Sequence, residues 1–519
     1  MKIKSRIIVT LLLILIFIIT LSFHLNIGGS ATSLKESISQ IIITHRIPYC
    51  NIALINNGTV EYESLSLNGE ELSQNHLFLS GQITEILTGI SLNILFNKGI
   101  LSPDDKITKF YPWLTFNYEN APVDITIRQL ASHSSGIPLH TQGELYGNDY
   151  DGILRTAMHG VSGSTLNFIP GTAYRNVQTD YAILAFIIEK VTGSTWSEYV
   201  TENVIQPLGL TNTYIGYNSV PKNAKITGGS RTCALFILDY DIKLNSANSP
   251  SKGMLTCSED LVRLIRILSG EIDITQISEQ SRDISKAVQM LMTNNFCAFS
   301  PAETGSDAYF GGIFFSKDSE TFYLNGEMEN FSTSIRFCTL ANRSVEQNIN
   351  QSANHGIKQG IIVQCSGMKA PSAKILENCQ KQLDDKDDFL LSFISTETLD
   401  IINTFLCIIV IYLCVSNIVS IKAPRKKGYS KIRVVTSITL TLLYMACTAL
   451  FPFYLDCTYS MIFSESVLMI TVFICLSQIL GIISLCRIIK NRRGARKKAG
   501  YSSVSGSYYL KQLLYSTSC

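Results

Sequence analysis

The sequence predicts an α+β domain held between membrane-spanning helices at both ends of the chain. Strand-like segments occur near both ends of residues 26–365, and amphipathic helical segments lie between them. This order favours a sheet whose strands come from both ends and enclose a helical insertion. Charged residues make up 16% of the 519 residues and mean hydropathy is +0.19, whereas soluble domains carry about 25% charged residues. This composition indicates membrane segments, and a net charge of +2 gives no global basis for nucleic-acid binding.

The N-terminal residues 1–25 have the pattern of a secretory signal. Basic residues at positions 2, 4 and 6 precede an apolar run from Ile7 to about Ser22. A charged segment followed by a long apolar one is typical of a cleaved signal peptide or of an uncleaved signal anchor. The small residues at 28–31 suit a cleavage site, so both alternatives stay open.

Three further apolar segments within residues 401–486 are predicted to cross the membrane. They are residues 401–421, 434–455 and 467–485. Each has close to the ~20 residues that span ~30 Å of hydrocarbon. Lysine and arginine are concentrated at 422–433 and in the tail at 487–519, and are missing from 457–466. Because positive loops stay in the cytoplasm, we expect a multi-pass membrane protein with a cytoplasmic tail and with residues 26–365 extracellular or luminal.

Glycosylation sequons agree with that location, whereas the cysteines leave their pairing open. Seven of the 14 cysteines lie between residues 26 and 400, and an odd number cannot all pair with one another. Cys365 and Cys379 are close enough in sequence to form a disulfide, and the alternative for most of the seven is a buried free thiol. No cysteine or histidine spacing matches a zinc site, so no metal or other cofactor is expected. Sequons begin at Asn57, Asn330, Asn342 and Asn350. They suit a eukaryotic secretory route.

The first elements of the domain are a hairpin and a helix. Residues 47–66 predict a β-hairpin, because apolar runs flank Asn57 and Gly58, a strong turn signal. Residues Gln82–Lys98 predict a helix, because apolar residues recur there at i, i+3 and i+4 spacing. Gly99 follows and is expected to end this helix.

The later elements complete the α+β pattern. Further helices are predicted over 125–131 and 179–192, and residues 331–344 return to the alternation of a strand. The polar and charged residues 366–388 favour a juxtamembrane linker across 366–400, or a short terminal helix.

Four sequence blocks stand out between residues 47 and 345. They are FLSGQITEILTGISLNILFNKGILSPDDKITKFYPWL (78–114), ITIRQLASHSSGIP (125–138), PGTAYRNVQTDYAILAFIIEKVTGSTWSEYVTENVIQPLGLTNT (170–213) and GMLTCSEDLVRLI (253–265). In this order they resemble the serine β-lactamase and penicillin-binding-protein family, on its class C and D-Ala-D-Ala carboxypeptidase side. The resemblance implies an antiparallel sheet flanked by helices plus a helical subdomain. It also implies a groove where the family nucleophile begins a buried helix, a position that favours an oxyanion.

The catalytic serine and lysine of that family are replaced here. Family members cleave an amide through an acyl-serine, with a lysine three residues later on the same helix face. The serine position falls on Gln82, whose carboxamide is not a nucleophile, and the lysine position falls on Glu85, which reverses the charge. The resemblance therefore implies that no acyl-serine forms.

Two further family motifs are also altered. The Tyr-x-Asn motif falls on Asn176, Val177 and Gln178, and the histidine or lysine of the last motif falls on Leu324. Only Gly326 of that last motif is retained. We expect no functional catalytic residue, and a pocket lined by degenerate positions. These positions are Gln82, Glu85, Asn176, Gln178, Leu324 and Gly326.

Other residues offer alternatives to this interpretation. Ser80 lies near the serine position but has no lysine on the following turn. Ser-x-x-Lys strings begin at Ser219, Ser249 and Ser366. Such strings also arise by chance. His133 beside two serines is either a base or a structural histidine at a helix end. Glu85 is either an acid–base group with a raised pKa or a carboxylate hydrogen-bonded near the helix start.

Three functional hypotheses follow. The first is a membrane-anchored pseudoenzyme that acts in binding or scaffolding, with a peptide or small molecule in the groove. The second is an active membrane-bound serine hydrolase or peptidase with a displaced nucleophile. The third is a structural membrane protein whose partners are other membrane helices. None of them involves nucleic acid.

Overall fold

The computed structural model describes residues 33–386, apart from 46, 71, 139–149, 234–235, 241–248, 276–278, 294–307, 317–320, 329, 340–355, 368–369 and 385. Nearly all described residues belong to one compact unit, residues 28–232 and 239–392. The predicted signal or anchor and the predicted membrane helices and tail lie outside the described residues. Within the described part of the chain, no helix combines the length and apolar character needed to cross a membrane.

The described helices are α1 (Leu34–His45), α2 (Glu85–Asn97), α3 (Ile107–Phe110), α4 (Ile127–Ala131), α5 (Tyr150–Val161), α6 (Gln178–Thr192), α7 (Trp196–Val200), α8 (Gln206–Leu208), α9 (Ser249–Lys252), α10 (Ser258–Leu268), α11 (Glu279–Thr293) and α12 (Ser372–Leu383). Short 3-10 turns occupy Gly81–Thr84 and Tyr217–Ser219, and a π turn occupies Thr201–Ile205.

The described strands are β1 (Tyr49–Asn56), β2 (Thr59–Ser66), β3 (Phe78–Leu79), β4 (Phe116–Tyr118), β5 (Ala121–Val123), β6 (Tyr214–Ile215), β7 (Gly229–Cys233), β8 (Phe236–Tyr240), β9 (Met254–Thr256), β10 (Ala308–Phe310), β11 (Ile313–Ser316), β12 (Thr321–Met328), β13 (Phe331–Thr339) and β14 (Ile357–Ser366).

The central sheet joins strands from the two ends of the domain. Its order is β10-β11-β12-β13-β14-β1-β2, and all of its pairs are antiparallel. The hairpin β1–β2 turns through Asn57 and Gly58, whose φ angles of 47° and 83° are both positive, as a tight hairpin turn requires. The predicted hairpin and the predicted sheet with strands from both chain ends are therefore confirmed.

Helix α2 is the buried centre of the domain. Every residue from Glu85 to Leu95 is buried, so this helix is covered on all faces rather than on one. The turn between β10 and β11 lies directly against it, because a Cβ atom on Gly89 would come 2.3 Å from the carbonyl oxygen of Gly311. The predicted helix over 82–98 is confirmed, except that its first turn, Gly81–Thr84, is a 3-10 turn.

Two other predicted helices are confirmed with clear ends. Helix α4 begins after Thr126, which forms a capping box with Gln129 and so satisfies the first N–H groups of the helix. Helix α6 ends at Gly193, which adopts a φ of 76° that favours glycine. The predicted strand at 331–344 is confirmed as β13 as far as Thr339.

The C-terminal helix α12 belongs to the folded domain. Its apolar face, which includes Ile375 and Cys379, is buried in a cluster with α1, β1 and β14. The amide of Asn378 donates a hydrogen bond to Ser37 of α1 at 2.5 Å. Burial of this face makes the segment part of the core. The predicted linker that starts at residue 366 is therefore wrong up to Leu383. The alternative prediction of a short terminal helix agrees with α12.

Candidate functional site

The candidate site forms where the 3-10 turn Gly81–Thr84 meets strand β12. A Cβ atom on Gly326 would come 1.8 Å from the carbonyl oxygen of Ser80, and one on Gly81 would come 2.7 Å from the backbone nitrogen of Glu327. Gly81 also has a φ of +54°, which L side chains rarely adopt. Glycine at both positions therefore allows the two backbones to touch, which explains why Gly326 is retained while its neighbours differ from the family motif.

Gln82 lies at this contact and bonds directly to the strand. Its side-chain Oε1 accepts a hydrogen bond from the backbone N–H of Glu327 at 2.6 Å. The Gln82 side chain is partly exposed, and those of Asn325 and Glu327 on β12 are exposed. Gln82 thus accepts the hydrogen bond of a strand N–H with its amide oxygen and remains partly exposed beside the exposed side chains of β12.

Glu85, one turn further along, is buried inside the domain. It accepts hydrogen bonds from the hydroxyl of Ser251 at 2.5 Å and from the hydroxyl of Tyr309. Its Oε2 atom also lies 3.3 Å from Nε2 of His133. Because the residue is only 1% exposed, its carboxylate supports the interior and lines no open pocket.

His133 is held between two carboxylates. Its Nδ1 lies 2.8 Å from Oδ2 of Asp180, and the other oxygen of Asp180 accepts a hydrogen bond from Ser135 at 2.6 Å. Burial lowers the pKa of His133, but the charges and hydrogen bonds of Glu85 and Asp180 outweigh it and raise the pKa to about 9. The ring is therefore positively charged at neutral pH, which balances part of the negative charge buried beside it. We call Glu85, His133 and Asp180 the buried charge cluster.

Two phenols complete the surroundings of this cluster. The hydroxyl oxygens of Tyr181 and Tyr309 are 3.1 Å apart, and Tyr181 contacts the carbonyl oxygen of Ala131 at 3.1 Å. The ring of Tyr309 stacks on that of His133 with centroids 5.0 Å apart. Burial, followed by the charge of Glu85, raises the pKa of both phenols well above 10, so both remain protonated donors.

The sequence identified only part of this arrangement. Glu85 and His133 are predicted singly, and the structure brings them together; the hydrogen bonds of Glu85 to Ser251 and Tyr309 and those of His133 to Glu85 and Asp180 favour the structural alternative for both. Asp180, Ser251 and Tyr309 were missed. The sequence gives no indication that these residues contact the cluster, since Ser251 and Tyr309 lie 166 and 224 residues from Glu85 along the chain.

The remaining motif positions separate into exposed and buried groups. Asn176 and Gln178 are partly exposed, just before and at the start of α6. Leu324 and Gly326 are buried, because alternate residues of β12 face inward. Leu324 is fully buried in the same apolar cluster as Ile83, so it belongs to the core rather than to a pocket wall. The six predicted positions thus divide between partly exposed and buried side chains, and the pocket stays a prediction.

The alternative serines are poorly placed as nucleophiles. Ser80, Ser249 and Ser366 are all buried. The hydroxyl of Ser219 donates to the carbonyl of Ile215 at 2.8 Å, within its own turn. Within the described ranges, no group of three or more histidine, cysteine, aspartate or glutamate residues is arranged to hold a metal ion.

Comparison with known proteins relates this geometry to a family. The Beta-lactamase family profile matches residues 34–341. Protein flp of Staphylococcus aureus (strain NCTC 8325 / PS 47) is 24% identical over 254 residues, which cover 49% of this chain and 48% of that protein. A putative D-alanyl-D-alanine carboxypeptidase of Escherichia coli (strain K12) is 33% identical over 140 residues, 24% of this chain and 30% of that protein. The chain thus spans half or less of the length of these relatives.

Solved structures agree on the fold. The octameric penicillin-binding protein homologue from Pyrococcus abyssi superposes with a TM-score of 0.54 at 19% identity, covering 72% of this chain and 80% of that one. A class C β-lactamase superposes with a TM-score of 0.53 at 14% identity, covering 67% of this chain and 95% of that one. Because the family profile covers more than half of the 519 residues and these folds agree, the chain belongs to the β-lactamase family, in its serine β-lactamase and penicillin-binding-protein group.

Proposed function

We propose that this protein is a membrane-anchored member of the β-lactamase family that binds or scaffolds and does not form an acyl-serine. The observation that carries the proposal is Gln82, which occupies the serine position at the contact with β12. A carboxamide is neither nucleophilic nor readily ionised, so it cannot attack an amide carbonyl. Loss of a nucleophile alone typically costs about four to six orders of magnitude in rate.

The environment of Glu85 supports the same proposal. A family lysine at this position would have to exchange a proton with the nucleophile, whereas Glu85 is engaged by His133, Ser251 and Tyr309 inside the core. The buried charge cluster therefore stabilises the core at the position where the family has a base. Both members of the acyl-transfer pair are replaced, and each replacement has satisfied hydrogen bonds of its own.

The exposed surface beside the contact between the 3-10 turn and β12, which we call the open side of the contact, suits a polar, amide-bearing ligand. Gln82, Asn325 and Glu327 present amide and carboxylate groups there, and Asn176 is partly exposed near the start of α6. Because a relative is described as a putative D-alanyl-D-alanine carboxypeptidase, we propose a short peptide as the ligand class. In our proposal the domain is extracellular or luminal, the basic tail is cytoplasmic, and the membrane itself is a partner.

Acylation probes test the catalytic part of the proposal. Full-length protein in detergent is incubated with a fluorophosphonate and with a fluorescent penicillin, beside an active class C β-lactamase as positive control. We expect labelling of the control and none of this protein. Stoichiometric labelling at any serine would instead support the second hypothesis, an active hydrolase with a displaced nucleophile.

Thermal unfolding tests the binding part. Both tryptophans of the chain, Trp113 and Trp196, lie in the domain, so tryptophan fluorescence reports its unfolding in the full-length protein. A D-Ala-D-Ala dipeptide should raise the midpoint, because a ligand that binds only the folded state stabilises it. Gln82→Trp, which fills the open side of the contact, should abolish the shift. An equal shift in both proteins, or none in the wild type, would contradict the proposal.

A further inference from the structure

We propose that Cys50 and Cys365 form a disulfide that joins the first and last strands of the central sheet. Cys50 lies near the start of β1, and Cys365 lies directly opposite it near the end of β14. Their sulfur atoms are 3.4 Å apart, and neither side chain is exposed to solvent. The pairing rests on the proposed extracellular or luminal location of the domain, and not on its proposed binding role.

The backbone already has the geometry of a bridge. Directly opposed residues of an antiparallel pair have Cα atoms about 4.5–5.5 Å apart. Disulfides span Cα separations of about 4.4–6.8 Å. The register is continuous from Cys50–Cys365 to Asn56–Gln359, so the strands hold the two residues in place. Closing the sulfur separation to the ~2.05 Å of a bond requires side-chain rotation and no change of register.

The structure also decides which cysteines pair. Sequence proximity alone indicated Cys365 with Cys379, but Cys379 lies on helix α12, which packs over the sheet. The Cys365 thiol contacts Cys50 instead. Cys379 is buried in the same apolar cluster and remains as a third, unbridged thiol.

The bond forms by thiol–disulfide exchange with an oxidant of the secretory route, either an oxidoreductase disulfide or glutathione disulfide. The two cysteines lose two protons and two electrons and gain one sulfur–sulfur bond. The oxidant disulfide takes up those electrons and protons and becomes two thiols. The hydrogen bond with Cys365, followed by burial, raises the pKa of the Cys50 thiol, and burial hides both sulfurs. The exchange therefore takes place during folding, before α1 and α12 cover the strands.

The bridge would covalently link β1 and β14, the strand pair of the described central sheet that joins the two ends of the domain. Pairing of β1 with β14 brings together residues 315 positions apart in the chain. Non-local pairing of this kind carries the largest loop-closure cost, which a covalent link offsets by restricting the unfolded chain. Predicted membrane segments lie beyond both strands, so the bridge would close the domain at its attachment points.

A peptide map of the wild-type protein tests this directly. Full-length protein is isolated from membranes of a secretory expression host, denatured with N-ethylmaleimide and no reductant, digested and analysed by mass spectrometry. We expect a linked peptide containing Cys50 and Cys365 that disappears after reduction, while Cys379 carries the maleimide. Maleimide on both Cys50 and Cys365, or a link between Cys365 and Cys379, would overturn the proposal.

Matched variants give a second measurement. Cys50→Ser should remove the linked peptide and lower the unfolding midpoint by several degrees, whereas Cys379→Ser should keep the link. Reductant should lower the midpoint of the wild type and of Cys379→Ser but leave that of Cys50→Ser unchanged. An equal effect of reductant on Cys50→Ser would contradict the assignment, and the wild-type map decides the matter if that variant does not fold.

Discussion

Nδ1 of His133 lies 2.8 Å from Oδ2 of Asp180, and neither side chain is exposed to solvent. The opposite ring nitrogen faces Glu85, so a single cation is shared by two buried carboxylates. Burial lowers the pKa of His133, but these carboxylates raise it to about 9. A pKa that differs between the folded and unfolded chain makes stability depend on pH.

Domain stability is expected to fall at alkaline pH because of His133. Its folded pKa of about 9 lies above the ordinary value of 6.5, so its contribution is complete below pH 6.5 and is lost as pH rises through about 9. The difference corresponds to about 3 kcal/mol, or roughly 5–10 °C in midpoint. Burial raises the pKa of Tyr181 and Tyr309 well above 10, so neither phenol titrates in this window. Tryptophan fluorescence melts between pH 6 and 10 measure the decline.

Two variants separate His133 from other groups in that measurement. Glu85→Gln removes the largest influence that raises the pKa of His133, so the decline should move to lower pH. His76→Gln changes a histidine whose pKa is lowered by burial, and should keep the wild-type alkaline decline. An unchanged pH profile in Glu85→Gln would show that the buried charge cluster does not control alkaline stability.

Gly326→Ala should destabilise the domain. The added methyl would meet the backbone carbonyl oxygen of Ser80 at 1.8 Å and the Cγ1 atom of the buried Ile83 side chain at 2.9 Å, so the Ser80 backbone itself would have to shift. We expect a loss of at least about 2 kcal/mol, measured by denaturant unfolding. Gly160→Ala is the matched control, because Gly160 is exposed near the end of α5 with nothing within 4 Å, and alanine favours a helix there. Equal stability of the two variants would show that β12 and the 3-10 turn do not touch in solution.

Restoring the serine and lysine should not restore acylation. In Gln82→Ser/Glu85→Lys the new lysine would lie beside the charged His133, where a second cation is disfavoured. Leu324 would still fill a core position, and Asn176 supplies no phenol. A fluorescent penicillin should therefore leave both the double variant and Gln82→Ser alone unlabelled. Stoichiometric acylation of the double variant would mean that the other two motif positions are placed elsewhere.

Asn57 should carry an N-linked glycan if the domain is luminal. This asparagine is exposed at the tip of the β1–β2 hairpin and begins a sequon, whereas Asn330 begins a sequon but is fully buried. In a eukaryotic secretory host, Asn57→Gln should therefore remove one endoglycosidase-sensitive step in gel mobility, and Asn330→Gln should remove none. No change with Asn57→Gln would count against the proposed topology.

Several features of this protein could be predicted because they depend on residues close together in the chain. The Asn57–Gly58 turn needs two adjacent residues with positive φ, and the buried helix after Gly81 shows itself by the spacing of apolar residues. The replacement of serine and lysine by Gln82 and Glu85 also lies within one short block with matching flanks. Sequence alone therefore indicated the family, and the loss of its acyl-transfer pair stays a prediction.

Only the tertiary structure decided what those residues contact. His133 and Asp180 are 47 residues apart in the chain, yet they share a hydrogen bond in the core. Cys365 faces Cys50 across β14 and β1 rather than the nearby Cys379, and Leu324 faces inward on β12. Each of these contacts depends on strand register and on how distant segments pack. The spacing of apolar residues along the chain indicates which residues are buried. It does not indicate which distant residues they pack against.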